Sequence, residues 1–235
     1  MILNRIIFIC CAGIVLLSCQ TDEGAYDAEH PQVEILTYSQ VDSVLSQFEQ
    51  VSYARLPEDY KTYSLSTWQE TKLASKKYYV VKGDEVFQYI VGTYRIRNFL
   101  CRDKYFSENA ADYDQNKSQL WLVDKQLLYT LVDLINELDE QGYDQYGFEL
   151  REGHRHPKYN ALAGGASQSQ HLFGTAVDLV IEDINQDGEI TPEDKDIVLE
   201  ILEEIVGDKG GLGLYPGGMT VHVDTRGYRA RWDKQ

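Results

Sequence analysis

The fold and the chemistry expected of this 235-residue chain follow from one segment, Ser169-Gln-His171-Leu-Phe-Gly174-Thr-Ala-Val-Asp178. His171 and Asp178 are too far apart for one helical turn and too close for separate domains, so the chain must fold back between them. Gly174 permits that turn because it lacks a Cβ atom. The residues after it alternate as in a strand, which places Ala176 and Asp178 on one face.

A second stretch, Thr220-Val-His222-Val-Asp224, supplies a further imidazole. Its His and Asp are two residues apart, so both side chains point to the same side of a strand. Two imidazoles and one carboxylate form the ligand set of catalytic zinc sites, which use three protein ligands and keep a fourth position for water. Zinc lowers the pKa of that water to about 7, which makes hydroxide available to attack an amide carbonyl. The pattern predicts a zinc hydrolase.

Further motifs accompany the ligand stretch along the chain. They are Asn98–Asp103, Gly153–Asn160, Gly164–Ala166, Gly210–Pro216 and Arg231-Trp232. Together these motifs resemble the zinc D-alanyl-D-alanine metallopeptidases, a peptidoglycan-cleaving family related to lysostaphin and the amino-terminal domain of hedgehog proteins. The resemblance covers roughly residues 84 to 235. It implies His171, Asp178 and His222 as zinc ligands and Arg155 as the residue that pairs with a substrate carboxylate or carbonyl.

The chain differs from this family at the residue expected to transfer the proton during hydrolysis. Several relatives carry an acid three positions before the last ligand or a second histidine two before it, whereas this chain has Met219 and Thr220 there. Asp224 is the nearest acid, and two roles stay open for it: general base, or a partner that orients His222 through its other ring nitrogen. Ser169 either binds substrate or caps a turn.

Two histidines in the Arg155 segment add another candidate. His154 and His156 stand where the family has Tyr and Ser. An imidazole titrates near working pH, so either side chain is a candidate for proton transfer. Their position beside Pro157 favours the alternative that both are surface loop residues.

The segment 183–194, between the second and third ligands, resembles a calcium-binding loop. Such loops take oxygen ligands at positions 1, 3, 5, 9 and 12, a backbone carbonyl at position 7 and a glycine at position 6. Gly188 stands at position 6, and the candidate calcium ligands are Asp183, Asn185, Asp187, Glu189, Thr191 and Asp194. The last acid is Asp rather than Glu, as in dockerin-type loops, and no second loop accompanies it. We predict a structural Ca²⁺ clip; the alternative is an acidic solvated turn.

The amino terminus predicts where the protein works. Arg5 precedes an apolar run, and Leu16-Leu17-Ser18-Cys19 resembles the lipobox of a bacterial lipoprotein signal. The run is shorter than the about 20 residues that span a bilayer but suits a signal peptide. We expect residues 1–18 to be the signal peptide, Cys19 to carry lipid and residues 19–34 to form a tether. Gln20 favours the outer membrane, so the predicted location is the bacterial cell envelope.

Composition restricts the partners and the redox chemistry. The chain has 22 Lys and Arg against 38 Asp and Glu, a formal charge of −16, which argues against nucleic-acid binding. Of its four cysteines, two leave with the signal and Cys19 takes lipid. Cys101 then has no partner for an intramolecular disulfide, and we expect it to be a buried small hydrophobe.

The remaining patterns predict an α+β domain with a hedgehog/D-Ala-D-Ala peptidase-like fold, in which a small antiparallel sheet flanked by helices carries the zinc site. Asp124 is expected to cap a helix over 125–140, Phe148 to open a strand and Pro192 to open a second helix. Residues 84–235 form the predicted peptidase domain. Residues 35–83 form an appended segment to which the pattern assigns no function.

The predicted function is a zinc-dependent peptidase that cleaves bonds involving D-amino acids in the stem or cross-link peptides of peptidoglycan. The expected partners are those peptides and, through Cys19, a membrane. The alternatives are a non-catalytic zinc- and calcium-binding cell-wall or protein-interaction module, as hedgehog relatives show, and a calcium-dependent adhesion protein.

Overall fold

The computed structural model describes residues 35–61, 65–101 and 118–233. The predicted signal peptide, the lipidation site Cys19 and the tether lie outside the described residues, as do Arg102 and Asp103 of the first family-like motif. The described residues belong to one compact unit. No helix in the described ranges is both long and apolar enough to cross a membrane.

The unit combines helices with two sheets and a short hairpin. The helices are α1 Tyr38–Leu45, α2 Glu58–Lys61, α3 Thr67–Ala74, α4 Lys125–Glu140, α5 Pro157–Leu162 and α6 Pro192–Val206. The strands are β1 Glu49–Ser52, β2 Lys77–Lys82, β3 Tyr89–Val91, β4 Tyr94–Arg95, β5 Ser118–Trp121, β6 Phe148–Glu152, β7 Ala176–Ile181, β8 Gly211–Gly213, β9 Thr220–Asp224 and β10 Ala230–Trp232. The prediction of an α+β fold is confirmed.

The five-stranded sheet, in the order β10-β8-β9-β7-β6, positions the candidate ligands. Strands β6, β7, β9 and β8 pair antiparallel, while β10 joins β8 in parallel. In this register Asp178 of β7 stands opposite His222 of β9 and Glu152 of β6. Directly paired residues point to the same face, so the register brings a ligand carboxylate beside a ligand imidazole.

Helices α4 and α6 pack against each other and bury the apolar side of this sheet. The side chain of Asp124 accepts a hydrogen bond from the Gln126 N–H, and Pro192 stands in the first turn of α6, so both predicted helix starts are confirmed. The apolar stripe of α4 is fully buried: Leu127, Leu128, Leu131, Leu134, Ile135 and Leu138. Burying each such side chain contributes roughly 1.5–3 kcal/mol.

The three-stranded sheet joins the two parts of the chain that the sequence analysis separates at residue 83. Its order is β1-β2-β5, all antiparallel, so two strands come from residues 35–83 and the third follows residue 117. A second buried apolar cluster lies beside it, built from Leu56, Tyr60, Leu73, Tyr78, Leu122, Leu172 and Phe173. The appended segment therefore packs directly against the stretch that carries His171.

Candidate metal centre

Three side chains from distant points of the chain converge on one spot. His222 Nδ1 lies 2.9 Å from Asp178 Oδ1, His171 Nε2 lies 3.3 Å from the same oxygen, and the two nitrogens are 3.2 Å apart. Both imidazoles are buried, and the Asp178 side chain is 13% exposed. The convergence that the sequence predicted is present in the structure.

The size of this triangle fits a zinc ion. Zinc binds imidazole nitrogen and carboxylate oxygen at about 2.0–2.2 Å in tetrahedral geometry, so its ligand atoms are about 3.3 Å from one another. The three observed separations of 2.9–3.3 Å correspond to that spacing. The donor set, two nitrogens and one oxygen, also suits zinc.

Each imidazole is held through the nitrogen that faces away from the triangle. The Nδ1 atom of His171 lies 2.6 Å from the Gly153 carbonyl oxygen, which can only accept, so Nδ1 carries the proton and Nε2 presents a lone pair. The Nε2 atom of His222 lies 3.0 Å from Asp224 Oδ2, which leaves Nδ1 to face the triangle. Such partners fix the tautomer and orientation of metal-binding histidines.

The backbone before Asp178 explains how His171 reaches the same point. Residues Gln170–Phe173 form a single 3-10 turn, and Gly174 follows with a left-handed φ of +67°. A Cβ atom there would overlap the carbonyl oxygen of Leu122. Only glycine satisfies both the turn and the close approach, and β7 begins two residues later at Ala176.

The electrostatics of the triangle favour a positive charge. Burial opposes ionisation of Asp178, but attraction and hydrogen bonds from His171 and His222 outweigh it and hold the carboxyl pKa well below its usual range. Burial likewise opposes protonation of His222, yet its hydrogen bonds to Asp178 and Asp224 raise the imidazole pKa. Both shifts have the sign expected of a cation site.

Asp224 lies behind His222 in a closed network. Its carboxylate is fully buried and accepts hydrogen bonds from His222 and from Arg226, whose Nε lies 2.7 Å from Oδ1. Burial opposes ionisation, but the bonds from Arg226 and His222 lower the carboxyl pKa to about 2. Of the two roles left open by the sequence, this geometry corresponds to the partner that orients His222.

A cavity of about 730 Å³ opens over the three ligands. Its walls include Arg155 and Ser169 together with Arg151, Tyr215 and Trp232. The Ser169 side chain makes no helix-capping bond, so the capping alternative for this residue is wrong. The Trp232 ring lies against the His222 ring with centroids 5.1 Å apart and limits its movement.

Arg155 borders the cavity beside the ligand carboxylate. Its Nη2 lies 2.6 Å from Glu152 Oε2 and 3.4 Å from Asp178 Oδ2. Its backbone N–H also donates to the His171 carbonyl at 3.0 Å. The segment that carries the predicted substrate-binding arginine is thus tied to two of the three ligands.

His154 and His156 are buried, so the interpretation of both as surface loop residues is wrong. His156 accepts the Lys158 N–H at Nδ1 and donates from Nε2 to the Tyr60 carbonyl at 2.8 Å, which makes it a structural link. Burial lowers the pKa of His154 to about 3, and its ring packs edge-on against Tyr78. Tyr60 packs against the His156 ring and Tyr78 against the His154 ring, tertiary contacts that the local pattern beside Pro157 does not indicate.

Cys101 is buried, as predicted. Its sulfur accepts a hydrogen bond from the His156 backbone N–H at 3.3 Å. Phe99, two residues earlier, contacts the same loop, because its carbonyl accepts the His154 N–H at 3.1 Å. The motif Asn98–Cys101 therefore supports the loop that carries Arg155.

The contacts of segment 183–194 are those of a self-supporting acidic turn. Asp194 is fully buried, and its oxygens accept the N–H groups of Ile184, Asn185 and Thr191. The carboxylates of Asp183 and Asp187 accept N–H groups within the loop. Among the described residues, the group of His, Cys, Asp and Glu side chains that could share one ion is His171, Asp178 and His222. The structure gives Ca²⁺ binding no support.

The sequence patterns did not indicate Arg226 and Glu152. Arg226 neutralises Asp224, and it continues the two-residue spacing of His222 and Asp224, a signal that could have revealed it. Glu152 stands three residues before Arg155 and pairs with it. The Gly153 carbonyl, which holds His171, belongs to the backbone and leaves no signal in side-chain patterns.

A family model described as Peptidase M15 matches residues 104–224, more than half of the chain. The matched range contains Arg155 and all three ligands but ends before β10 and begins after residues 35–101. The comparisons with curated proteins and with solved structures found no significant match.

Proposed function

The chain belongs to the peptidase M15 family of zinc-dependent metallopeptidases, and from this we propose that it cleaves peptide bonds involving D-amino acids in the stem or cross-link peptides of peptidoglycan. The observation that supports this proposal most is the triangle of His171 Nε2, Asp178 Oδ1 and His222 Nδ1 at the floor of the cavity. A metal held by three protein ligands beneath an open cavity is the arrangement of catalytic rather than structural zinc sites.

His171, Asp178 and His222 would hold the zinc ion. When bound, zinc polarises a carbonyl as a Lewis acid and lowers the pKa of water. Asp224 keeps His222 in the tautomer that presents Nδ1, and Gly153 does the same for Nε2 of His171. The protein's own contribution is therefore to pre-orient three donors, which removes the cost of ordering them during the reaction.

Arg155 is the proposed contact for the substrate carbonyl or carboxylate. A guanidinium has five N–H donors, and Arg155 lies on the loop between β6 and α5 at the wall of the cavity. The Nη2 atom forms salt bridges with Glu152 and Asp178, and these contacts fix the side chain at the cavity wall. Ser169, which also lines the cavity, is a proposed hydrogen-bonding partner for the substrate backbone.

Digestion of purified peptidoglycan peptides tests this function. We expect zinc-loaded protein to release a terminal D-Ala, as a carboxypeptidase does, or to split cross-linked dimers, as an endopeptidase does, with products identified by mass spectrometry. His171→Ala and His222→Ala should abolish product release, while Ser167→Ala, an exposed neighbour of the ligand stretch, should retain it. Peptide binding without any zinc-dependent product would instead support the non-catalytic module.

We also propose that Cys19 anchors the protein to the outer membrane. Full-length protein expressed in a bacterial host should partition into the membrane fraction and carry lipid on its mature amino terminus, as measured by mass spectrometry. Cys19→Ser should shift the protein to the soluble fraction. An unlipidated wild-type amino terminus would contradict the anchor.

Calcium binding by residues 183–194 remains a separate proposal, supported by the spacing of oxygen-bearing side chains alone. Isothermal titration of zinc-loaded protein with Ca²⁺ tests it, with Asp187→Ala as the ligand variant. If Ca²⁺ binds to neither the wild type nor the Asp187→Ala variant and does not raise the thermal stability of the wild type, the loop is the acidic turn.

A further inference from the structure

Helix α3 lies outside the range matched by the family model, yet it contacts the stretch that carries His171 on both sides of that ligand. Upstream of His171, Gln69 Nε2 donates to the Ser167 carbonyl at 2.9 Å, and Lys72 Nζ donates to Gln170 Oε1 at 3.4 Å. These two bonds reach residues four and one positions before the ligand.

Downstream of His171, the same helix contacts Phe173. The Trp68 ring packs edge-on against the Phe173 ring with centroids 5.3 Å apart, and Lys72 Nζ lies 4.0 Å from the centroid of that ring. Contacts between a cation and an aromatic face at this distance are attractive. Burial lowers the pKa of Lys72, in accord with its position between Trp68, Phe173 and Gln170.

An apolar contact completes the attachment. Leu73 of α3 and Leu172 are both 1% exposed, and they share the second buried cluster with Phe173. His171 thus lies between Gln170, which Lys72 of α3 contacts, and Leu172, which shares a buried cluster with Leu73 of α3.

The helix can hold the stretch because it is itself fixed at its start. The Gln69 side chain that bonds Ser167 also accepts the Ser66 N–H at 2.9 Å and closes a capping box. On the far side, the Gln170 carbonyl and side-chain oxygen accept the Thr175 hydroxyl at 3.2 and 3.1 Å. A continuous set of contacts therefore runs from α3 through Gln170 to the residue before β7.

We propose that α3 is a positioning element of the metal centre: it holds residues 167–173 so that His171 Nε2 stays in place beside Asp178 and His222, and it thereby raises the affinity for zinc. The proposal rests on the metal-binding part of the proposed function and deepens it. Its physical basis is pre-organisation, because a ligand loop that is already ordered loses less conformational entropy when the metal binds. Residues that support metal ligands typically change metal affinity 10- to 100-fold.

Zinc affinity of the full chain, measured by competition with a chromophoric chelator, tests this role. We expect Lys72→Met and Trp68→Ala to weaken zinc binding roughly 10-fold or more. The matched controls are Glu70→Gln and Thr71→Ala, two exposed positions on the same helix, which should bind zinc like the wild type.

A role in stability alone would give a different result. In that case the Trp68 and Lys72 variants would unfold at lower urea concentration in the metal-free form but bind zinc with wild-type affinity, and the proposal would be overturned. Lys72→Met keeps the apolar stem of the side chain, so its zinc affinity still tests the positioning role if Trp68→Ala fails to fold.

The same titration separates this inference from the proposed function, because it requires no peptide hydrolysis. His171→Ala serves as the reference for loss of a ligand and should show the largest loss of affinity. Wild-type affinity in His171→Ala would overturn the metal-centre assignment together with the role of α3. Weakened affinity in the α3 variants of a protein that cleaves no peptide would support the positioning role and contradict the peptidase function.

Discussion

At the scale of single residues, the contact between Asp224 and His222 Nε2 determines how one ligand is presented. We predict that Asp224→Asn weakens zinc binding roughly 10- to 100-fold, because the variant loses a charged acceptor for Nε2 and leaves the Arg226 charge without its partner. Chelator competition measures the change. Asp208→Asn, at an exposed turn position, is the control. Unchanged zinc affinity combined with a lower kcat would identify Asp224 as the base instead.

The lowered pKa of Asp224 predicts an acid sensitivity of the metal-free protein. The carboxyl pKa is about 2 in the folded protein, below its ordinary value of 3.8, so the folded state binds the proton less readily than the unfolded chain. The resulting stabilisation, about 2 kcal/mol, is complete above pH ~4 and is lost as the pH falls through about 2. Urea unfolding of wild type and Asp224→Asn should show a stability gap that narrows over this range. A gap independent of pH would contradict the shift.

Residue patterns revealed the ligands but not most of their supports. His171, Asp178 and His222 could be predicted because the metal requires those side-chain types and the family-like motifs contain them. The burial of His154 and His156 could not, since it arises from Tyr60 and Tyr78, which are distant in sequence. The ligands could therefore be predicted from local sequence motifs, whereas the burial of the residues around them depends on tertiary contacts.

At the scale of elements, the turn between His171 and β7 depends on Gly174. We predict that Gly174→Ala lowers the free energy of unfolding by more than about 1 kcal/mol and weakens zinc binding, because the new Cβ combines a left-handed φ with overlap of the Leu122 carbonyl. Gly142→Ala is the matched control: its φ is also positive, at +79°, but nothing lies within 4 Å of an added Cβ. Equal stability losses in the two variants would show that the overlap with Leu122 is relieved without cost.

Elements with strong local signals were predictable, and short ones were not. Helix α4 has an Asp cap and a regular apolar stripe, and α6 has Pro192 in its first turn, so both starts followed from the sequence. Helix α3 and strand β2 are short and mixed in composition, and Leu73 of α3 and Tyr78 of β2 are buried in the second cluster by residues distant in sequence. The parallel pairing of β10 with β8 likewise depends on long-range register.

At the scale of the whole molecule, the metal centre connects parts of the chain that are otherwise separate. The ligands come from the stretch held by α3, from β7 and from β9, so a bound ion links these three elements. We predict that zinc raises thermal stability, by about 2.7 kcal/mol at a free concentration of 100 times Kd. Scanning calorimetry with and without zinc measures this effect, and His222→Ala should show none. A zinc effect of equal size in that variant would place the stabilising ion elsewhere.

We propose that His171, Asp178 and His222 bind one zinc ion beneath the cavity. A crystal structure of the zinc-loaded protein, with anomalous diffraction recorded at the zinc absorption edge, tests it most directly. We predict a single strong anomalous peak within about 2.0–2.2 Å of His171 Nε2, Asp178 Oδ1 and His222 Nδ1. A fully loaded crystal whose zinc peak lies away from these three atoms would contradict it.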